Sequence, residues 1–136
     1  MKESELKNMN AAALAYMGDA VYEQAVRKRL LESGIRRADR LQKTAAALYV
    51  SAAAQAEALH ALFGELEEGE AAMVKRWRNY RPRSLPRNAD PMTYKWATAL
   101  EAYIGYLYLL GEEERLSRFL GRVFETIEQG GAKAGK

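Results

Sequence analysis

Apolar residues recur three or four apart from Leu14 through Met17 and Val21 to Ala25, and Leu30 and Leu31 follow. That spacing gives one face of a helix. Asn10 stands where an N-cap belongs and Gly34 where a helix stops, so the pattern predicts a long helix from Ala11 to about Glu32. A second helix is predicted from about Arg37 to Tyr49. Ser51 reads as the cap of a third, Ala52 to Leu62, stopped by Gly64. A fourth runs from about Leu66 to Tyr80. A very apolar fifth runs from Pro91 or Met92 to Leu110, and a sixth from about Glu112 to Glu128. The prolines Pro82, Pro86 and Pro91 all fall in one short stretch. With the Asn and Asp beside them, they mark Arg81–Asp90 as a loop. No strand-like alternation of useful length and no internal repeat is visible. The pattern predicts an all-α single domain of about six or seven helices over residues 10–128. Residues 1–9 read as an N-terminal extension, and the Gly/Ala/Lys-rich residues 129–136 as a frayed, flexible tail.

Composition removes several chemistries. At 136 residues, 49% hydrophobic, the chain is large enough to bury one core. It has no Cys, which excludes disulfides, thiolate metal sites and cysteine nucleophiles. Its single His, His60, excludes a multi-His metal site and argues against a Ser–His triad. His60 itself reads as an ordinary helix-surface or core-edge residue. No apolar run is long enough for a membrane span, and MKESELKNMN lacks the apolar core of a secretory signal, so a cytoplasmic protein is expected.

Charge distribution says more than the net charge of +3. Between Lys75 and Lys95 lie Lys75, Arg76, Arg78, Arg81, Arg83, Arg87 and Lys95 against Asp90 alone, so the rest of the chain is net acidic. Trp77, Asn79, Tyr80, Tyr94 and Trp96 are interleaved with these cations. The mixture suits a phosphate backbone. It equally suits a solvated loop that pairs with Glu65–Glu70 or Glu112–Glu114.

Two carboxylates stand in unfavourable places. Glu101 is the one acidic residue in WATALEAYIGYLYLL, a stretch apolar enough to be buried all round. A buried carboxylate there needs an ion pair with an Arg or a bound cation. Asp19 follows Gly18 in LAYMGDAVY, and both are poor mid-helix residues. Gly18 leaves room for a ligand, or else for a closely packed helix, and Gly105 could do the same. Glu23 lies one turn after Asp19, and Arg27 is placed to pair with it. Hard oxygen ligands from two distant helices, beside a basic aromatic segment, suit Mg²⁺ and phosphodiester chemistry.

The same residues carry a family resemblance. LAYMGDAVYE (Leu14–Glu23) resembles the signature helix of ribonuclease III catalytic domains, and ATALEAYIGYLYL (Ala97–Leu109) their second acidic helix. YVSAAAQAEAL (Tyr49–Leu59) and VKRWRN…LPRNAD…TYKWATALEA (Val74–Ala102) are similar to Mini-ribonuclease III, the short form without a separate RNA-binding domain. The resemblance implies an all-helical homodimeric fold that grips double-stranded RNA. It implies a Mg²⁺-dependent endoribonuclease, with Mn²⁺ as a substitute ion, leaving 5′-phosphate and 3′-hydroxyl ends. It points to precursor large-subunit (23S) ribosomal RNA as substrate, with a ribosomal protein among the candidate partners. Asp19 and Glu101 match the family's catalytic and metal-binding acids. Lys75, Arg76, Arg78, Asn79 and Tyr94 match its RNA-contacting block, and Arg81, Arg83 and Arg87 extend that set by charge. Full-length ribonuclease III carries further acids where this chain has Ala12, Ala15 and Thr98. The Thr98 hydroxyl is placed to orient a ligand or a water, or to bond its own helix backbone. The departures motivate an alternative, a non-catalytic RNA-binding or ribosome-assembly module. A DNA-contacting regulator is the third reading.

Overall fold

The most apolar stretch of the sequence becomes the axis of the molecule. In the computed structural model, which describes residues 1–134, helix α6 spans Pro91–Leu110 and buries Ala97, Ala99, Leu100 and everything from Ala102 to Leu107. Its start is set by the Asp90 carboxylate, which accepts from the Thr93 backbone N–H at 2.9 Å and from the Thr93 hydroxyl at 2.8 Å. Pro91 fills the first turn, where a missing N–H costs nothing. Gly111 ends the helix with a left-handed φ of 85°.

Around this axis are α1 (Glu3–Lys7), α2 (Ala11–Glu32), α3 (Ala38–Thr44), α4 (Ala52–Leu62), α5 (Glu68–Arg78) and α7 (Glu113–Ala134). There is no strand among the described residues, so the architecture is the all-α one expected. Asn10 caps α2 by accepting from the Ala13 N–H at 2.8 Å, and Ser51 caps α4 through the Ala54 N–H at 3.1 Å. Helices α2, α4 and α5 lie directly on α6.

The tightest contact is α2 on α6. A methyl group at Gly18 would fall on the Glu101 carbonyl, and one at Gly105 on the Leu14 carbonyl. The two backbones therefore touch through paired glycines, and close packing is the structural use of Gly18.

Three expectations need correction. The predicted helix Arg37–Tyr49 is split: after α3 the chain widens into a π-helical segment, Ala45–Val50, before Ser51 restarts it as α4. The segment turns Tyr49 inward. Its carbonyl accepts from the Tyr22 hydroxyl at 2.7 Å, and its own hydroxyl donates to Glu128 at 2.6 Å. Arg29 donates to both Glu128 oxygens, at 2.6 and 2.7 Å, and holds that carboxyl below its usual pKa. This network ties α2, α7 and the π segment together. Residues 1–9 are more than an extension, because Leu6 of α1 is fully buried and the amino terminus donates to the Leu109 carbonyl at 2.8 Å. A single buried side chain on a five-residue helix leaves no periodicity to read. Finally, α7 continues past Glu128 to Ala134, so most of the predicted frayed tail is helical. Its last two residues, 135 and 136, lie outside the described residues.

The glycine contact generates a test. Gly105→Ala should destabilise the fold by about 2–3 kcal/mol in urea unfolding, because backbone rather than a flexible side chain must move. Gly121→Ala, on α7 with open space around it, should be neutral or stabilising by up to about 1 kcal/mol. Equal behaviour of the two variants would reject the close crossing.

Candidate active site

Where α2 crosses α6, Asp19 stands next to Gly18 and Glu101 stands against it. Both side chains line one cleft of about 440 Å³. Thr98, Lys95 and Tyr94 come to it from α6, and Gln55 from α4. Tyr16 and the small residues Ala12 and Ala15 come from α2, and Trp77, Tyr80 and Pro82 form another wall. Ala12, Ala15 and Thr98 thus sit in the wall itself, where acids would have added charge.

The sequence predicts two buried carboxylates. The structure leaves Asp19 exposed and Glu101 half-buried. An Arg partner for Glu101 is not found: among the described residues neither carboxylate forms an ion pair. The consequence is electrostatic. Burial pushes the Glu101 carboxyl up to about 8, the adjoining Asp19 carboxylate and the charge of Glu23 push the same way, and the Gln55 amide opposes them. At neutral pH the metal-free pair therefore holds a proton between two acids. Among the described residues no group of three or more His, Cys, Asp or Glu is assembled, so the acidic donor set is this pair.

Glu23 pairs with Arg27 at 3.6 Å, as its spacing allows. That pair lines a slightly larger hollow, about 480 Å³, between α2, α3 and the π segment. Its remaining walls are chiefly apolar, and it holds no unpaired acid. The chemistry belongs to the Asp19–Glu101 cleft.

The basic residues divide into groups. Lys75, Arg76 and Arg78 occupy the last turn of α5, and Asn79 is its C-cap. Arg78 lies over the Trp96 ring at 5.1 Å, and Lys75 over Phe63 at 5.8 Å. Arg76 is diverted: it donates to the Lys7 carbonyl at 2.7 Å, at the end of α1. Arg81, Arg83 and Arg87 are exposed on the loop to α6, and Tyr94 reaches the cleft. That loop is shaped by a turn in which the Ala89 N–H donates to the Pro86 carbonyl at 3.1 Å, with Asn88 at φ 69°. Two of the acids that could have neutralised these cations are used elsewhere: Glu65 pairs with Arg122 at 2.7 Å, and Glu70 with Arg115. Among the described residues, none of the seven basic side chains from Lys75 to Lys95 is in an ion pair. The self-neutralised loop is thereby set aside.

His60 is exposed and meets Trp96 edge-on at 5.2 Å, an ordinary surface role. Sequence reasoning does not single out Gln55 or Tyr16 for the site, and it names Lys95 and Tyr80 only as members of the basic, aromatic segment. Gln55 leaves one signal, a lone amide in the alanine-rich run AAAQAEAL.

Comparison with known proteins agrees with the geometry. A model of the ribonuclease III domain matches residues 12–112. A Mini-ribonuclease 3 from Symbiobacterium thermophilum is 48% identical over 117 residues, covering 86% of this chain and 89% of that protein. One from Enterococcus faecalis is 40% identical, covering 92% and 98%. A crystal structure of a Fusobacterium nucleatum protein superposes with a TM-score of 0.79 at 33% identity, over 92% of this chain and 99% of that one. By this likeness across nearly its whole length, the chain belongs to the ribonuclease III family, in its Mini-ribonuclease 3 branch.

Proposed function

We propose that this endoribonuclease hydrolyses double-stranded RNA with Mg²⁺, or Mn²⁺ in its place, held between Asp19 and Glu101. We propose further that it acts as a homodimer in the cytoplasm to mature the ends of precursor 23S ribosomal RNA. The observation that carries the reading is the unpaired acid couple in a cleft flanked by unpaired cations.

The donor set fits a hard divalent ion. Among the described residues the two carboxylates have no ion-pair partner, and burial with the neighbouring Asp19 charge raises the Glu101 pKa. Asp19 and Glu101 would hold the ion, and the rest of its shell would come from water and RNA phosphate. When bound, a divalent cation supplies a water acidic enough to attack phosphorus and offsets the charge that develops on the phosphate. The chain's own residues do the remaining work. Ionised Glu101 is favoured once positive charge faces it. Lys95 and Tyr94 line the cleft where a phosphate would enter. Arg81, Arg83 and Arg87, with Lys75, Arg78 and Asn79, provide the grip on an A-form backbone, which is read through phosphates and 2′-hydroxyls. Water attack leaves a 5′-phosphate and a 3′-hydroxyl.

Tyr16, 84% exposed beside the cleft, is available as a contact for a second chain. No helix among the described residues is long and apolar enough to cross a membrane. A ribosomal-protein partner gains no support from these residues. The small Ala12 and Ala15 in the cleft wall motivate the alternative of a module that holds RNA without cutting it, and the likeness to Mini-ribonuclease 3 proteins speaks against that alternative.

The catalytic and binding readings separate by mutation. Asp19→Asn and Glu101→Gln should each lower duplex-RNA cleavage about a thousandfold or more, while RNA affinity stays within about threefold. Wild-type cutting by either variant would reject the assignment. A precursor 23S RNA with unprocessed ends should be cut in its terminal stem, in Mg²⁺ and not in EDTA.

The raised pKa makes a second prediction. Between 4.5 and about 8 the folded metal-free protein keeps the Glu101 proton that the unfolded chain has released. Stability in EDTA should therefore fall as pH rises through that window and level off above it. Glu101→Gln should flatten the profile in denaturant titrations from pH 5 to 9, and an unchanged slope would contradict the coupling.

Third, Arg81→Ala and Arg83→Ala should each reduce the slope of log K against log salt by up to about one. Arg76→Ala should leave that slope nearly unchanged, because its guanidinium is engaged with α1. Equal slopes for wild type and both loop variants would remove the loop from the interface.

A further inference from the structure

Gln55 is the one polar or charged residue that is buried among the described residues, at 4% exposure. A buried side-chain amide is unfavourable unless something in the site pairs with it. It lies one turn into α4, where the chain is well anchored. The Ser51 hydroxyl caps the helix through the Ala54 N–H, and the Gln55 N–H donates to the Ser51 carbonyl at 3.1 Å. Small residues surround it on its own helix (Ala52, Ala53, Ala54 and Ala56), and α4 packs on α6. Its side chain lines the same cleft as Asp19 and Glu101, and the neighbouring amide opposes the upward push on the Glu101 carboxyl.

We propose that Gln55 is a positioning residue: its side-chain N–H donates to the Glu101 carboxylate and fixes the face that carboxylate turns toward Asp19. The inference rests on the metal-site reading above. An amide suits this place chemically. It carries no charge to add to the two acids, and it offers a donor that favours the ionised, ligating form of Glu101. With alanines at positions 12 and 15 and a threonine at 98, two carboxylates carry the whole acidic share of ion binding. The orientation of each then weighs more than in a four-acid site.

The test uses the full chain and Mn²⁺ alone. Mn²⁺ binding without RNA is followed by the loss of the free-ion paramagnetic resonance signal, in wild type, Gln55→Leu and Asp19→Asn. Duplex-RNA cleavage is titrated with Mn²⁺ in parallel, and melting is measured in EDTA. Gln55→Leu should bind Mn²⁺ about tenfold more weakly and need correspondingly more for half-maximal cleavage. Its KM for RNA should stay at the wild-type value, and its melting temperature should be close to wild type, since an apolar isostere removes the buried amide together with its demand for a partner. Wild-type Mn²⁺ affinity in Gln55→Leu, alongside lost affinity in Asp19→Asn, overturns the role of Gln55 and leaves the metal site standing. Wild-type affinity in Asp19→Asn defeats the metal site and this inference with it. Gln55→Met, of similar length, takes the place of the leucine variant if that protein does not fold, with the same two outcomes.

Discussion

The contact between α2 and α6 at Gly18 and Gly105 governs the rest of the molecule. Side chains of ordinary size would hold the two helices apart. Glycine on each lets backbone meet backbone, and Glu101 then comes against the turn that carries Asp19. The same two positions are costly in isolated helices, where glycine loses more entropy than alanine. That local cost persists because the crossing offsets it with packing along both helices, from Leu14 to Leu30 on one and from Ala97 to Leu107 on the other.

The crossing also produces an electrostatic conflict. Two acids are brought together without a basic partner, and burial keeps one of them protonated at neutral pH. A protein selected for stability alone would place an arginine there or remove one acid. Elsewhere this chain does so: Glu128 is met by Arg29, Glu65 by Arg122 and Glu70 by Arg115. The contrast between those paired acids and the couple in the cleft, which has no ion pair among the described residues, is what marks the cleft as the candidate site.

Much of this was legible in the sequence, for physical reasons that differ by element. Asn10 and Ser51 were readable as caps because a cap is a local bond spanning three residues. Glu101 was readable because an acid inside an apolar run is an anomaly of composition. The π segment at Ala45–Val50 was not, since its cause is tertiary: Tyr49 is turned inward by bonds to Tyr22 and Glu128, which no periodicity records. Nor was Gln55, whose importance lies in what α6 sets opposite it. Arg76 shows the same limit from the other side. Its place in the sequence puts it with the cations of the basic segment, and only the fold reveals its bond to Lys7.

The distribution of ion pairs explains how this domain keeps a usable positive face. The pair Arg122–Glu65 is about half exposed on both sides, so it contributes little to stability. Its effect is on the field. By taking Glu65 and Glu70 for α7, Arg122 and Arg115 keep those acids from folding back onto Lys75, Arg78 and the loop beyond. The three prolines act in the same direction: they hold Arg81, Arg83 and Arg87 on a loop that runs past the cleft and not in a helix where (i, i+4) partners could collect. A duplex needs the cations spread along a line beside the acids, and the acid pair needs them at a distance that leaves it free of an ion pair. Arg78 stacked on Trp96 satisfies both conditions, because the ring holds the guanidinium in place without neutralising it.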